Sequence, residues 1–419
     1  MASGLKYISL AEHSGYGEAA RAYLQGLFHA GLPLTWTPLV WDDRLGYTPL
    51  QRRVGLPGFY NLSAQNLQAA WRIPPAAQRF FSPEQPDAFD FWPLLYAKID
   101  YDTVIMHTVP EYWPRLLKPG KLNIGYTVWE TTLIPPHWRE LLQLPDRLMA
   151  PSEFTRQVFI QNGITRPVDV VPHICTPPGP APSAEQIARF CLDDQIPSDR
   201  FLFYTINAWT SRKAVWHTLR AYLDAFTRRD PVALIVKTSR LGPRNYAADT
   251  LTATELLVQE ILAEYPEPAQ VCCLNRELTN EQMQLLHHLG DCYVSLTHSE
   301  GWGLGAFEAA TRGKPVVMTG WGGQLEYLCP EACFLVDYSL IPVQDRLGRE
   351  SYHAPQQWAQ PDLPAASRWM RWVYEHPQQA RQKAGALQKD IRDRFQESVV
   401  TDKLLAAMGH LNAPEACSG

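Results

Sequence analysis

One rhythm runs twice through this chain of 419 residues and limits its fold more than any other feature: a short apolar run, a turn, then a helical stretch. In the first half the apolar runs are 5–10 (LKYISL), 102–107 (DTVIMH), 121–127, 146–150 and 168–172. The first is followed by Ser14, Gly15, Tyr16 and Gly17 and an alanine-rich helical pattern over 18–29; a second helix is expected at 151–162, capped by Ser152. Pro172, Pro177, Pro178, Pro180 and Pro182 then crowd a stretch that neither a helix nor a central strand tolerates. The rhythm resumes with strands expected at 201–206, 232–237, 270–274, 291–296, 314–318 and 333–336. Helices are expected between them, at 212–228, 253–264, 280–288 and 305–312, and amphipathic helices over 364–411, which 358–362 (WAQPD) reads as opening. Apolar runs separated by helices are what parallel strands with crossover helices require. The expected fold class is α/β: two doubly wound, Rossmann-like domains, residues 1–175 and 176–385, facing across a cleft, with a terminal segment 386–419.

Composition narrows the function. Net charge is −5 with no long run of either sign, the wrong balance for gripping a nucleic-acid backbone. No run nears the roughly 18 apolar residues of a membrane span. Residues 1–9 lack the charged start and apolar core of a signal peptide. None of the eight cysteines falls in a CxxC pair. They read as reduced, mostly buried thiols of a cytoplasmic protein rather than zinc ligands or disulfides.

Residues 299–313 (SEGWGLGAFEAATRG) carry the most chemistry. A strand ends in a loop holding Gly301, Gly303 and Gly305; a helix starts near Gly305 and stops at Gly313. Glycine at such a turn lets a ligand's phosphates approach the backbone, and the helix start adds unpaired N–H groups and positive potential. Glu300 precedes the loop, and Glu308 lies about one turn into the helix, where a carboxylate can grip a ribose diol. The plainer alternative is a tight turn with acidic residues near the positive helix end, worth roughly a few tenths of a kcal/mol.

This block, Glu-x7-Glu in the form EGWGLGAFEAATRGKPVV, resembles the signature of the retaining glycosyltransferases of family 4, which have the two-domain GT-B fold. The segments 291–299 (DCYVSLTHS), 321–326 (WGGQLE), 151–154 (PSEF) and 170–173 (VVPH) resemble flanking parts of the same family. The resemblance implies that the first domain holds the acceptor and the second a nucleotide-sugar donor, with the last helix crossing back to the first domain. It implies that Glu308 binds the donor's ribose hydroxyls and that Glu300 lies by the transferred sugar. The backbone of Gly301, Trp302, Gly303, Leu304 and Gly305 would hold sugar hydroxyls and the diphosphate, and backbone groups near Leu274 the base.

Family members set an Arg or Ser and, about five residues on, a Lys against the diphosphate. Here Lys213 matches the lysine, Asn207 stands where an arginine is common, and Arg212 is the candidate for the missing charge. Chemistry supports the two cations independently, because a leaving nucleoside diphosphate gains negative charge that fixed cations stabilise. Read without that context, they form an ordinary basic first turn of a helix. Lys237, ending a strand, is a secondary candidate. In the first domain Gly15 and Gly17 fit either a loop reaching the diphosphate or a simple helix-start turn. The His that many family members carry after the strand at 121–127 is absent; Glu130 is the substitute polar contact and His107 the other candidate, although a lone His beside an apolar strand is more often structural. Trp302, inside the glycine loop, is the tryptophan expected to stack on a sugar. No Asp-x-Asp pair points to a metal, and no cofactor is expected, since the nucleotide-sugar is a co-substrate.

The expected function is a metal-independent, retaining transfer of a hexose-type sugar from a UDP- or GDP-sugar to an acceptor hydroxyl, and the resemblance implies front-face displacement as its mechanism. The acceptor would be a saccharide, lipid-linked or protein hydroxyl, met in the cytoplasm or at the inner membrane face. One rival is a catalytically silent nucleotide-sugar-binding subunit with a regulatory or assembly role. The other, a nicotinamide-dependent dehydrogenase built on residues 14–20 (SGYGEAA), lacks the acid that its second strand should carry.

Overall fold

The computed structural model describes residues 4–12, 14–51, 71–74, 77–81, 89–238, 250–345 and 351–409. Two sheets form its frame. The first joins β1 (Gly4–Leu10), β2 (Leu34–Asp42), β3 (Gly46–Pro49), β4 (Tyr101–His107), β5 (Leu122–Tyr126), β6 (Arg147–Ala150) and β7 (Val168–Val170) in the order β3-β2-β1-β4-β5-β6-β7. Only β3 runs antiparallel, because Asp42 accepts from the N–H groups of Arg44 and Leu45 and Gly46 takes φ +71°, turning the chain straight back. The second sheet joins β8 (Phe201–Ile206), β9 (Val232–Lys237), β10 (Gln270–Leu274), β11 (Cys292–Ser295), β12 (Val316–Thr319) and β13 (Phe334–Val336) in the order β10-β9-β8-β11-β12-β13, all parallel.

Strands such as β9 (VALIVK) are almost wholly buried, as parallel strands covered by helices on both faces must be. Chain order reverses between β1 and β4 in one sheet and between β8 and β11 in the other. In open α/β sheets a ligand-binding crevice lies beyond the carboxyl ends of the strands at such a point. The helix that starts at Gly15 follows β1, Asn207–Lys213 follows β8 and the glycine loop follows β11, so three of the motifs converge there for a topological reason.

Helices start where the caps are. Ser14 accepts from Gly17 N–H to open Gly15–His29, and Ser152 accepts from Thr155 N–H to open Glu153–Gln161. The stretch 358–362 departs from expectation. Gln357–Pro361 is a strand (β15) paired antiparallel with β14 (Tyr338–Pro342), and the helix Leu363–Glu375 begins only after Asp362 caps it. The local sequence does not reveal this pairing, because the partner strand lies far upstream and Ala359 N–H is further anchored on His298 O. After Pro377–Phe395 the chain returns: Glu397–Ala407 lies on Gly15–His29, with Gly26 facing Thr401 and His29 bonded to Glu397 at 2.7 Å. The seven described cysteines are all free; Cys417 and the rest of 410–419 lie outside the described residues. No helix among the described residues is long and apolar enough to cross a membrane.

Candidate active site

The segment after β11 is buried and tied to the segment after β8. His298 N–H and the Thr297 hydroxyl both donate to Arg212 O, at 2.9 Å each. Gly303 then takes φ +86°, a left-handed turn that starts Leu304–Thr311 at once. This places Glu300, 5% exposed, directly against the two cations. Lys213 Nζ lies 2.5 and 2.7 Å from the two carboxylate oxygens of Glu300. Arg212 donates to Ser299 O at 2.8 Å and sits 3.4 Å from Glu300 and 3.4 Å from Glu130. Glu130 belongs to the loop after β5, so the cluster bridges the two sheets. The Tyr352 hydroxyl donates to Glu130 at 2.7 Å while its ring stacks on Trp129 at 5.1 Å.

Two carboxylates and two cations thus neutralise one another beside a cleft of about 180 Å³ lined by Thr210, Arg212, Lys213, Asp345, Tyr352 and Trp358. Burial opposes the Arg212 charge, but Glu130, Tyr352 and Glu300 outweigh it and hold the guanidinium above its ordinary pKa. Burial lowers the Lys213 ammonium below its ordinary value, with Glu300 opposing that shift.

Around the cluster the two halves touch directly. A Cβ on Gly301 would fall 1.8 Å from Val128 Cγ2, so only glycine allows this approach. Ser152 donates to Gly301 O at 3.2 Å, Glu326 accepts from Glu153 N–H at 2.8 Å, and Phe154 meets Trp321 edge-on. Gly15 faces Leu304, and Gly305 packs on the Tyr293 hydroxyl. Glu308 is half-exposed on its helix, 3.0 Å from His287 Nε2.

Other candidates are placed elsewhere. Gly17 closes on Glu12 O within the capped first turn, which is the plain helix-start geometry. Asn207 spends its amide within its own sheet, donating to Thr205 at 2.9 Å and Ser295 at 3.0 Å. The Leu274 carbonyl is already taken by Thr238 N–H at 3.0 Å, and Lys237 Nζ donates to Thr238 O. Trp302 is 3% exposed, stacked on His173 at 5.1 Å and packed by Phe307, Tyr327 and Phe395, so it offers no face to a sugar. His107, 1% exposed, bonds the Tyr7 hydroxyl at 2.8 Å and lies against Tyr126; burial drives its pKa well below the ordinary value. Both rings were reachable candidates by residue type, and the core claimed both. The residues that sequence reasoning missed are Tyr352 and His287, neither of which stands in a motif.

No family model and no curated relative matches the chain. Solved structures do. Anabaena HepE in complex with UDP and glucose is similar over 98% of this chain and 100% of that one, at 12% identity and TM-score 0.60. Sucrose-phosphate synthase from Thermosynechococcus elongatus is similar over 97% and 98%, at 14% identity and TM-score 0.63. A UDP-forming trehalose-phosphate synthase from Burkholderia xenovorans is similar over 98% and 100%, at 14% identity and TM-score 0.60. The fold is thus the GT-B fold shared by these glycosyltransferases.

Proposed function

We propose that the chain is a glycosyltransferase that moves a hexose-type sugar from a nucleotide-sugar, a UDP-sugar first, to an acceptor hydroxyl. The observation that carries this reading is the Arg212–Lys213 pair, held by buried Glu300 at the switch point of the second sheet and met by Glu130 from the first. In the mechanism, the donor's diphosphate takes over the two cations, which stabilise the charge it gains as the sugar–oxygen bond breaks. The backbone N–H groups at the start of Leu304–Thr311 add to that stabilisation, and Glu308 holds the ribose. No metal enters this scheme; Arg212 and Lys213 supply the positive charge beside the leaving group. The route is front-face and retaining: the acceptor oxygen bonds to the anomeric carbon on the side the nucleotide leaves, and its proton passes to the departing phosphate. Glu300 and Glu130 line the sugar end, the acceptor lies on the first domain, and residues 1–175, 176–385 and 386–419 are the acceptor, donor and return segments. UDP bound in HepE supports UDP as the first donor base to try.

The second reading, a donor-binding subunit without turnover, is favoured by Asn207 turning into its own sheet. Thermal unfolding against UDP, GDP, ADP, dTDP and NAD tests the main reading. A ligand at 100 times its Kd stabilises by about 2.7 kcal/mol, so a binding diphosphate shifts the midpoint visibly. The expected result is a shift with one nucleoside diphosphate that Glu308→Ala abolishes. A shift with NAD alone overturns the reading, and binding without transfer or donor hydrolysis decides for the silent subunit.

A further inference from the structure

We propose that Tyr204 and His287 form a relay that fixes the Glu308 carboxylate for the donor's ribose hydroxyls, making His287 a positioning residue for nucleotide binding; this rests on the glycosyltransferase reading above. Three elements meet here. Tyr204 comes from β8, His287 from the helix Asn280–Leu289 and Glu308 from Leu304–Thr311, and both Tyr204 and His287 are fully buried. The Tyr204 hydroxyl lies 3.0 Å from His287 Nδ1, and His287 Nε2 lies 3.0 Å from Glu308 Oε2.

The proton positions follow from chemistry. A carboxylate can only accept, so Nε2 carries a proton. Burial lowers the imidazole pKa and Arg312 and Lys314 add to that, outweighing the opposing Glu308, so the ring is neutral and Nδ1 accepts from the Tyr204 O–H. The tautomer is thereby set from the sheet outward. Tyr204 cannot drift, because its ring lies edge-on to Tyr293 and fills the space where a Cβ on Gly290 would stand, 2.2 Å from Cδ1.

The Glu308 side chain is nonetheless 41% exposed, so the relay grips a carboxylate that a ligand can reach. An unheld glutamate would lose rotamer freedom when it captured a diol, and holding it beforehand removes that loss from binding.

The test compares binding of UDP and 2′,3′-dideoxy-UDP to the full chain by calorimetry, with GDP and its dideoxy form alongside. Wild type is expected to favour the ribose form. His287→Ala should weaken the ribose form about tenfold, as about 1.4 kcal/mol of lost positioning implies, and leave the dideoxy form unchanged. His287→Gln, which restores an N–H donor, should recover part of the loss, and Tyr204→Phe should cost less than His287→Ala. On a Glu308→Ala background, His287→Ala should add nothing. If wild type does not discriminate ribose from dideoxyribose, or binds no nucleotide, the ribose role of Glu308 fails and the relay with it. If wild type discriminates but His287→Ala and Tyr204→Phe weaken both ligands equally or neither, the relay alone is overturned. Should His287→Ala not fold, His287→Gln and Tyr204→Phe decide by the same comparison.

Discussion

Replacing Lys213 with methionine keeps the side-chain stem and removes the charge that both oxygens of Glu300 contact at 2.5 and 2.7 Å. The remaining cation, Arg212, is 3.4 Å from Glu300 and already serves Glu130 at 3.4 Å. Two carboxylates would then share one guanidinium in a place where Glu300 is 5% exposed. Breaking a buried pair from one side costs about 3–5 kcal/mol, because the other charge is stranded out of water. The Lys213 side chain is 20% exposed, which sets the lower end, about 3 kcal/mol. For a domain-sized unit each kcal/mol lowers the midpoint by about 2–4 °C, so Lys213→Met should lose about 6–12 °C. Lys213→Met with Glu300→Gln strands no charge and should regain about 2 kcal/mol of that loss. Urea titration and calorimetry on wild type, the two single variants and the double variant measure the coupling. If Lys213→Met unfolds with wild type, or the double variant is as unstable as the sum of the singles, the cluster is solvated and the reasoning fails.

Two further outcomes are expected. Burial depresses the His173 pKa from 6.5 to about 3. The folded state therefore binds fewer protons than the unfolded chain between those values, and stability falls as pH drops below about 6.5. Between pH 6.5 and 5.5 the loss from this one group is about 1 kcal/mol. His173→Phe, which can keep the stack on Trp302, should show a urea midpoint that much less sensitive to pH; equal slopes for the two proteins would refute the assignment. Gly301→Ala places a methyl on Val128 and should cost about 1–3 kcal/mol. Adding Val128→Ala should recover most of it in thermal unfolding, and a double variant no better than the single one would rule out that contact as the cause.

The elements that read most directly were those whose meaning is local. Parallel strands buried on both faces must be nearly unbroken apolar runs, so β8, β9 and β11 stood out from their neighbours. The cap at Ser152 lies within three residues of the N–H it satisfies, whereas the helix expected from residue 18 already starts at Gly15, capped by Ser14. Short helix starts were read less well: the helix after β8 begins at Val215 rather than 212, because Ala214 adopts φ +41° before it.

By itself the sequence determined the two βα halves, the glycine loop after β11, the placing of Glu300, Arg212 and Lys213 in the segments after their strands, and that of Glu308 on the helix that follows the glycine loop. Only the tertiary structure decided which polar residues meet. Glu130 reaches Arg212 across the two halves, Tyr352 arrives from the segment that precedes β15, and His287 joins Glu308 from a neighbouring helix. It also decided that Trp302, His107 and Asn207 turn inward. The physical reason is one of range. Periodicity and turn chemistry are set by neighbours along the chain, whereas the partner of a buried polar group is set by whichever distant surface packs against it, and residue type does not encode that direction.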